Sequence, residues 1–569
     1  MFFRRPISYG GSFSHKTRAR NLERLATEIF DLVVIGGGIT GAGIARDAAM
    51  RGMKTALIEK GDFASGTSSK SSKLIHGGLR YLKQLGIKLV RESLFERERL
   101  LKLAPHLVHP AAFLIPIYSG WMERLEFRLG LKGYDLLAGA TTLPQHRSLS
   151  AEEVLHEERL LREEHLAGGF VYYDCLVDDG RLTLATIKSA HEHGAVTASY
   201  TQAVAFGESH GLFRVGFREV MSGEDGETRA RVVVAAAGPW TDELLRLHDH
   251  PEPMLRPTKG VHLVFPRSRL AIRQVVVTPT EDKRILFVVP RGDFTYVGTT
   301  DTDYSGSLDK VLVEAPDVGY LLQALDICFP SLQLRAADIV SAWAGLRPLM
   351  REEGAPSAVS RDYRMTFHED GLAVIAGGKL TTYRNMAKSL LNLILKTYAH
   401  RLPGTFGPCR TAESALTGGE MAEFPSYLKA QSLGLMGRWG LSRRTAEHLI
   451  QSYGRNHLDI LASALQDKAL LEPLTPGCPV IRAEVVHAVE EEMAVTLEDF
   501  MARRTGLLHF DATWGMAVVE EVSRLMGRLL GWDRGRRQAE IHRYREAVAD
   551  MFRFRSESQI APVGDGISR

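Results

Sequence analysis

A short β-branched run, DLVVI (31–35), stops at Gly36-x-Gly38-x-x-Gly41 and leads into an alanine-rich stretch. That order predicts an α/β fold with a Rossmann-type nucleotide-binding unit. Between Pro257 and Thr300 apolar and polar residues alternate with turn residues between them, predicting a mixed or antiparallel sheet interleaved with the first. Past a Pro/Gly cluster at Leu402 to Pro408, helical patterns run to about residue 555, predicting an α-helical C-terminal domain. The expected division is a basic extension with a short helix at 1–30, a unit of two interleaved subdomains at 31–400, a helical domain at 405–555 and a tail at 556–569.

The elements follow in order. A helix is expected from about Arg18 to Glu28, then the strand DLVVI and a helix from Thr40 to Met50 that Gly52 breaks. Thr55 to Ile58 (TALI) is a second buried strand, completing a β-α-β unit of about 30 residues. Arg91 to Leu103 reads as an amphipathic helix whose charges form a solvated face. Arg181 to His193 is another helix, and Arg231 to Ala237 (RVVVAAA) a third buried strand ending at Gly238-Pro239. Leu372 to Ala376 is a short strand before a glycine pair.

Bulk properties exclude several classes. With 569 residues the chain exceeds one compact core, and 44% hydrophobic against 24% charged residues argues for globular structure. A net charge of +3 is too mild to indicate nucleic acid. Cys175, Cys328, Cys409 and Cys478 lie far apart with no CxxC pair, so reduced thiols in a cytoplasmic compartment are expected. No apolar run reaches the ~18 residues of a membrane span. Residues 1–20 carry Arg4, Arg5, Lys16, Arg18 and Arg20 and no acid, which suits a solvated arm, contact with an anionic membrane surface or an organelle transit peptide. Asp301 to Asp309 mimics a calcium loop, but Leu312 stands where the closing Glu belongs, and no metal is assigned.

The glycine turn carries the first functional reading. Gly36 permits a tight turn, Gly38 lets backbone approach a pyrophosphate, and Gly41 lets helix pack on strand. Phosphates then meet the helix N-terminus. Glu59 closes the second strand 18 residues past Gly41, placed for a ribose hydroxyl pair and against a 2′-phosphate. A dinucleotide follows; FAD over NAD does not follow from this turn alone.

Two further Gly/Ser/Thr/Lys-rich segments, GTSSKSSKLIHGGLRYL (66–82) and GGKLTTYR (377–384), fit a cofactor stretched across a sheet. With GGGITGAGIARDAAMRG (36–52), AAGPWTD (236–242), KGVHLVF (259–265), GTTDTDY (298–304), WAGLRPL (343–349), SRDY (360–363) and EVVHAVEEEMAVTLEDFMARRTGL (484–507), they carry a family resemblance. The chain resembles the FAD-dependent glycerol-3-phosphate dehydrogenases of the D-amino-acid oxidase-like flavoprotein superfamily, from about residue 20 to about 545. The resemblance implies non-covalent FAD held by Gly36, Gly38, Ile39, Thr40, Gly41, Glu59, Lys60, Thr67, Ser68, Ser69, Lys73, Leu74, His76, Gly77, Gly78, Gly238, Lys379, Leu380 and Thr381. It implies oxidation of sn-glycerol 3-phosphate to dihydroxyacetone phosphate, with electrons passed to a membrane quinone. It also implies a homodimer, peripheral on the inner face of the cell membrane.

The reaction removes a hydride from C2 and a proton from its hydroxyl, so the protein must orient C2, hold the phosphate and take the proton. A phosphate dianion calls for Arg and Lys donors. The matched motifs place Arg80, Arg347, Arg361 and Lys379 there, with Tyr81 beside them. His262 is the candidate base, having a ring that titrates near neutrality; His76 is expected against the flavin, and Arg347 could polarise the hydroxyl. Three rivals stay open. A flavin oxidase using O2 would release peroxide. An amine oxidase of the same superfamily needs only about one Arg fork for its carboxylate. A non-catalytic module would purify without colour.

Overall fold

The computed structural model describes residues 12–79, 86–118, 120–139, 141–248, 252–282, 284–351 and 363–557. Its core is an eight-stranded sheet whose central strand, Ile29–Ile35, is the DLVVI run extended by two residues. Thr55–Ile58 and Asp225–Ala235 flank it, both parallel to it. Val196–Ala198 continues the sheet on one side and Leu372–Gly377 on the other, also parallel. Leu32, Val33 and Val34 have no exposed surface. Burial on both faces explains why the run is continuously apolar rather than alternating. The helix Ile39–Met50 lies against one face, packed between the helices Asp179–Glu192 and Tyr383–Thr397.

A ten-stranded sheet makes the second layer. It is antiparallel except where Val275–Pro279 runs parallel to Val108–Ile117. Its pivotal strand is Leu255–Pro266, which pairs with both Phe294–Gly298 and Ser341–Met350. From Phe424 to Glu557 the named elements are all helical, from Phe424–Trp439 to Arg553–Glu557.

Two expectations need correction. The helix expected at 91–103 begins at Ile87, and its charges are not all solvated. Glu96 and Arg97 are buried: Glu96 takes two bonds from Arg384 (2.6 and 2.7 Å), and Arg97 donates to Asp174 at 2.6 Å. Buried charges persist only when paired. Arg18 of the N-terminal extension is also used within the chain, while Lys16 and Arg20 stay exposed. The first helix is His15–Thr27; Arg18 bonds the Ser199 carbonyl at 2.9 Å and pairs with Glu219, while Arg20 donates to Thr17. That helix lies along the edge strand Val196–Ala198. Arg4 and Arg5 lie outside the described residues.

Candidate active site

The glycine turn has the geometry its spacing requires. Gly36 sits at φ +116°, and a Cβ there would stand 2.4 Å from the Ala236 carbonyl oxygen. A Cβ on Gly41 would meet the Gly36 oxygen at 1.9 Å, so the helix seats on the strand only because Gly41 has none. Glu59 accepts from the Gly37 amide (2.6 Å) and the Gly61 amide (2.8 Å). Burial raises the pKa of this carboxyl, and those two amides oppose the rise. Ser68 Oγ accepts from the Ile39 amide at 2.9 Å, which ties the 66–82 segment to the start of the helix.

These groups open on one cavity of about 930 Å³. Its walls include Gly36, Gly38, Ile39, Thr40, Glu59, Lys60, Thr67, Ser68, Leu74, His76, Gly238, Lys379, Leu380, Thr381, His262 and Arg347. Residues more than 300 positions apart thus share one wall because strands Ile29–Ile35 and Leu372–Gly377 belong to one sheet. Five sequence-selected residues stand behind the wall. Gly41 packs helix on strand. Ser69 offers its carbonyl to Lys73 Nζ (3.0 Å), and that ammonium pairs with buried Asp179 at 2.6 Å instead of facing the cavity. Gly77 donates to the Tyr134 hydroxyl at 2.8 Å, and Gly78 follows at φ +77°. Arg80, Tyr81 and Arg361 lie outside the described residues.

The second sheet supplies the chemical end. His262 pairs across strands with Trp343, Gly260 with Gly345, and Thr258 with Arg347. Side chains two apart share a face, so His262 and Arg347 project the same way with a glycine pair between them. A Cβ on Gly345 would meet the Lys70 carbonyl at 2.5 Å, and one on Gly260 would meet the Arg347 guanidinium at 2.6 Å. The glycine pair lets the Lys70 backbone and the Arg347 guanidinium lie directly on that stretch of strand at the cavity wall. Arg347 is oriented by Asp301 (3.1 Å), Thr299 Oγ1 (3.0 Å) and the Thr300 carbonyl (3.1 Å).

His262 is 2% exposed and stacked on Trp343, with ring centroids 4.9 Å apart. Its Nε2 hydrogen-bonds Ser72 Oγ at 2.9 Å, and Gly298 leaves room for the ring. Burial, then the Arg347 and Lys73 charges, hold its pKa well below the ordinary histidine value. The imidazole is therefore neutral at pH 7, the form that accepts a proton.

Sequence reasoning missed Ser72, Trp343 and Asp301, the residues that orient His262 and Arg347. It also missed a polar cluster joining the helical domain to the cofactor loop. The π-helical turn Asp499–Arg504 brings Arg503 (2.5 Å) and Arg504 (2.6 and 2.8 Å) onto Asp62, three residues past Glu59. Glu498, just before that turn, lines the cavity. The 484–507 segment carried family likeness, but nothing in its spacing pointed to Asp62.

The pattern of the FAD-dependent oxidoreductases matches residues 31–384, well over half of the chain. The chain belongs to the FAD-dependent oxidoreductase family. Residues 409–537 match the C-terminal domain of alpha-glycerophosphate oxidase. The aerobic glycerol-3-phosphate dehydrogenase of Bacillus subtilis is 39% identical over 535 residues, 92% of this chain and 95% of that one. Its Staphylococcus haemolyticus counterpart is 40% identical over 519 residues, 89% and 92% of the two chains. Among solved structures, the glycerol-3-phosphate dehydrogenase from Bacillus halodurans complexed with FAD superposes with a TM-score of 0.81 at 34% identity, covering 95% of this chain and 99% of that one. The site fits the family's cofactor: a turn whose Gly36 and Gly41 have no room for a Cβ, a helix N-terminus, a carboxylate at the second strand's end and a cavity lined from both sheets.

Proposed function

We propose that this FAD-dependent enzyme oxidises sn-glycerol 3-phosphate to dihydroxyacetone phosphate and delivers the electrons to a membrane quinone. It would act as a homodimer, peripheral on the inner face of the cell membrane. The observation that carries the reading is the shared face on which neutral His262 and cationic Arg347 flank the glycine pair, in the same cavity as the dinucleotide turn. The names of the relatives covering over nine-tenths of the chain support the substrate. Among the described residues no helix is long and apolar enough to cross a membrane, which suits attachment at its surface.

Bound FAD would supply the hydride acceptor, held by the cavity-lining residues Gly36, Gly38, Ile39, Thr40, Glu59, Thr67, Ser68 and Leu74 and by the 377–381 segment. The chain's own groups do the rest. His262 takes the C2 hydroxyl proton, with Ser72 and Trp343 fixing its ring. Arg347 and Lys379, joined by Arg80, Tyr81 and Arg361 of the matched motifs, hold the phosphate. Arg347 also stands where it can polarise the reacting oxygen. His76 lines the same cavity and would stand against the flavin.

Steady-state kinetics of Arg347→Ala and Lys379→Ala test the substrate assignment. Each should raise KM for glycerol 3-phosphate by ~10-fold or more, as loss of a charge-assisted contact does. Unchanged KM in both would remove them from the phosphate site. Peroxide release in place of quinone reduction would assign the oxidase reading instead.

A further inference from the structure

Large apolar side chains are not scattered evenly over this surface. Seven of the fifteen that are exposed among the described residues lie on two helices in contact, Ile87–Leu103 and Trp121–Ala138. The second carries five: Trp121 (74% exposed), Met122, Leu125, Leu129 and Leu136 (82% exposed). Their spacing of three, four and seven puts them on one helix face. The opposite face is the ordinary buried one, with Leu131 and Tyr134 in the core. A soluble helix turns its apolar residues inward and its charges out; this one is apolar on both faces.

Charge decides what covers it. Arg128 and Lys132 are exposed among the outward leucines, and the adjoining helix adds Lys88 and Arg91 beside exposed Ile87 and Phe95. Glu126 is the one exposed acid on the two helices, with Glu92, Glu98, Glu123 and Asp135 half-buried. A second copy of this chain laid two-fold on the patch would bring these cations against themselves, which is costly. Anionic phospholipid suits both halves of the pattern: apolar side chains enter the acyl boundary, a Trp sits at headgroup level, and Lys and Arg meet phosphates.

We propose that the outward face of Trp121–Ala138, with the exposed stripe of Ile87–Leu103, docks the enzyme on an anionic lipid surface. The proposal rests on the membrane-quinone reading and names the surface that serves it. The helix is wired to the cofactor cavity from its inner side. The Tyr134 hydroxyl donates to Asp174 (2.8 Å) and accepts from the Gly77 amide (2.8 Å), next to cavity-lining His76. One helix thus lies between the docking face and the loop that carries cavity-lining His76.

Cosedimentation of the holoenzyme with vesicles tests this, using phosphatidylcholine alone and phosphatidylcholine mixed with phosphatidylglycerol. The wild type should bind the mixed vesicles and release at high salt. Trp121→Ser/Leu125→Ser/Leu129→Ser should lower partitioning ~10-fold or more. Arg128→Gln/Lys132→Gln should do so on the anionic vesicles only. Turnover with a soluble dye should be unchanged in both. Undiminished binding by both variants overturns the proposal. So does a triple variant whose only change is loss of a dimer in sedimentation, which would give the face to a second copy. Quinone reduction is scored separately. Wild type that binds vesicles yet only makes peroxide supports the docking face and sinks the quinone assignment. Wild type that reduces quinone in detergent but ignores vesicles overturns the docking face alone.

Discussion

Replacing Asp62 by Asn should detach the helical domain's grip on the cofactor loop. The Asp62 carboxylate has no exposed surface and receives three short bonds from Arg503 and Arg504, whose side chains are 6% and 1% exposed. Deleting one partner of a buried ion pair costs about 3–5 kcal/mol, because the remaining charge stays desolvated. Arg503 keeps Asp499 and Glu498 (2.8 and 2.9 Å), so the lower end, about 3 kcal/mol, applies. The pH dependence has a definite sign. Burial opposes the ionised form, but the Arg504 and Arg503 charges outweigh it and hold the Asp62 pKa below its ordinary value. A depressed folded pKa contributes stability above the unfolded value of ~3.9 and loses it as pH falls through the folded value. Thermal unfolding of holoenzyme, followed by flavin fluorescence and circular dichroism, should place Asp62→Asn well below wild type. The gap should be constant from about pH 5 to 8 and close in stronger acid. Asp62→Leu with Arg504→Met should recover part of the loss. A penalty under about 1 kcal/mol, or a gap indifferent to acid, would refute the idea that this cluster fastens the domains.

Other outcomes follow from the site. Glu59→Gln should weaken FAD binding ~10–100-fold, read by titrating apoprotein and following flavin fluorescence, because a glutamine keeps one acceptor oxygen for the two amides of Gly37 and Gly61 and turns its NH2 on the other. Gly41→Ala should give protein without bound flavin, since its Cβ collides with the Gly36 carbonyl; a yellow, stable variant would contradict that geometry. His262→Ala should slow flavin reduction ~10²–10⁴-fold in rapid mixing. In the wild type the rate should be flat above about pH 6.5 and fall only in acid, since the lowered His262 pKa keeps the base neutral throughout that range.

The cofactor half of the site was legible because its information is local. DLVVI, the glycine turn, TALI and Glu59 lie within 29 residues, and each step obeys a short-range rule of turn, helix start or buried strand. Most element ends moved by four residues or fewer, but the strand expected from Arg231 begins at Asp225. The substrate half was legible through motif likeness alone. His262 and Arg347 become neighbours through cross-strand register, and register between residues as distant as Thr258 and Arg347 has no signature in spacing. The Gly260–Gly345 pair, Ser72 on His262 and Asp301 on Arg347 were hidden for the same reason. Charge was misread where it was buried: Glu96 and Arg97 look like solvated helix charges until Arg384 and Asp174 arrive from distant elements. Asp62 with Arg504 is the extreme case, its partners 442 positions apart.

The most direct test of the central claim is anaerobic reduction of the bound flavin by a panel of alcohols and amines. The account predicts that sn-glycerol 3-phosphate bleaches the flavin absorbance stoichiometrically and that a quinone restores it without peroxide. Unbleached flavin under glycerol 3-phosphate, with bleaching by an amine or an unphosphorylated alcohol, would contradict it.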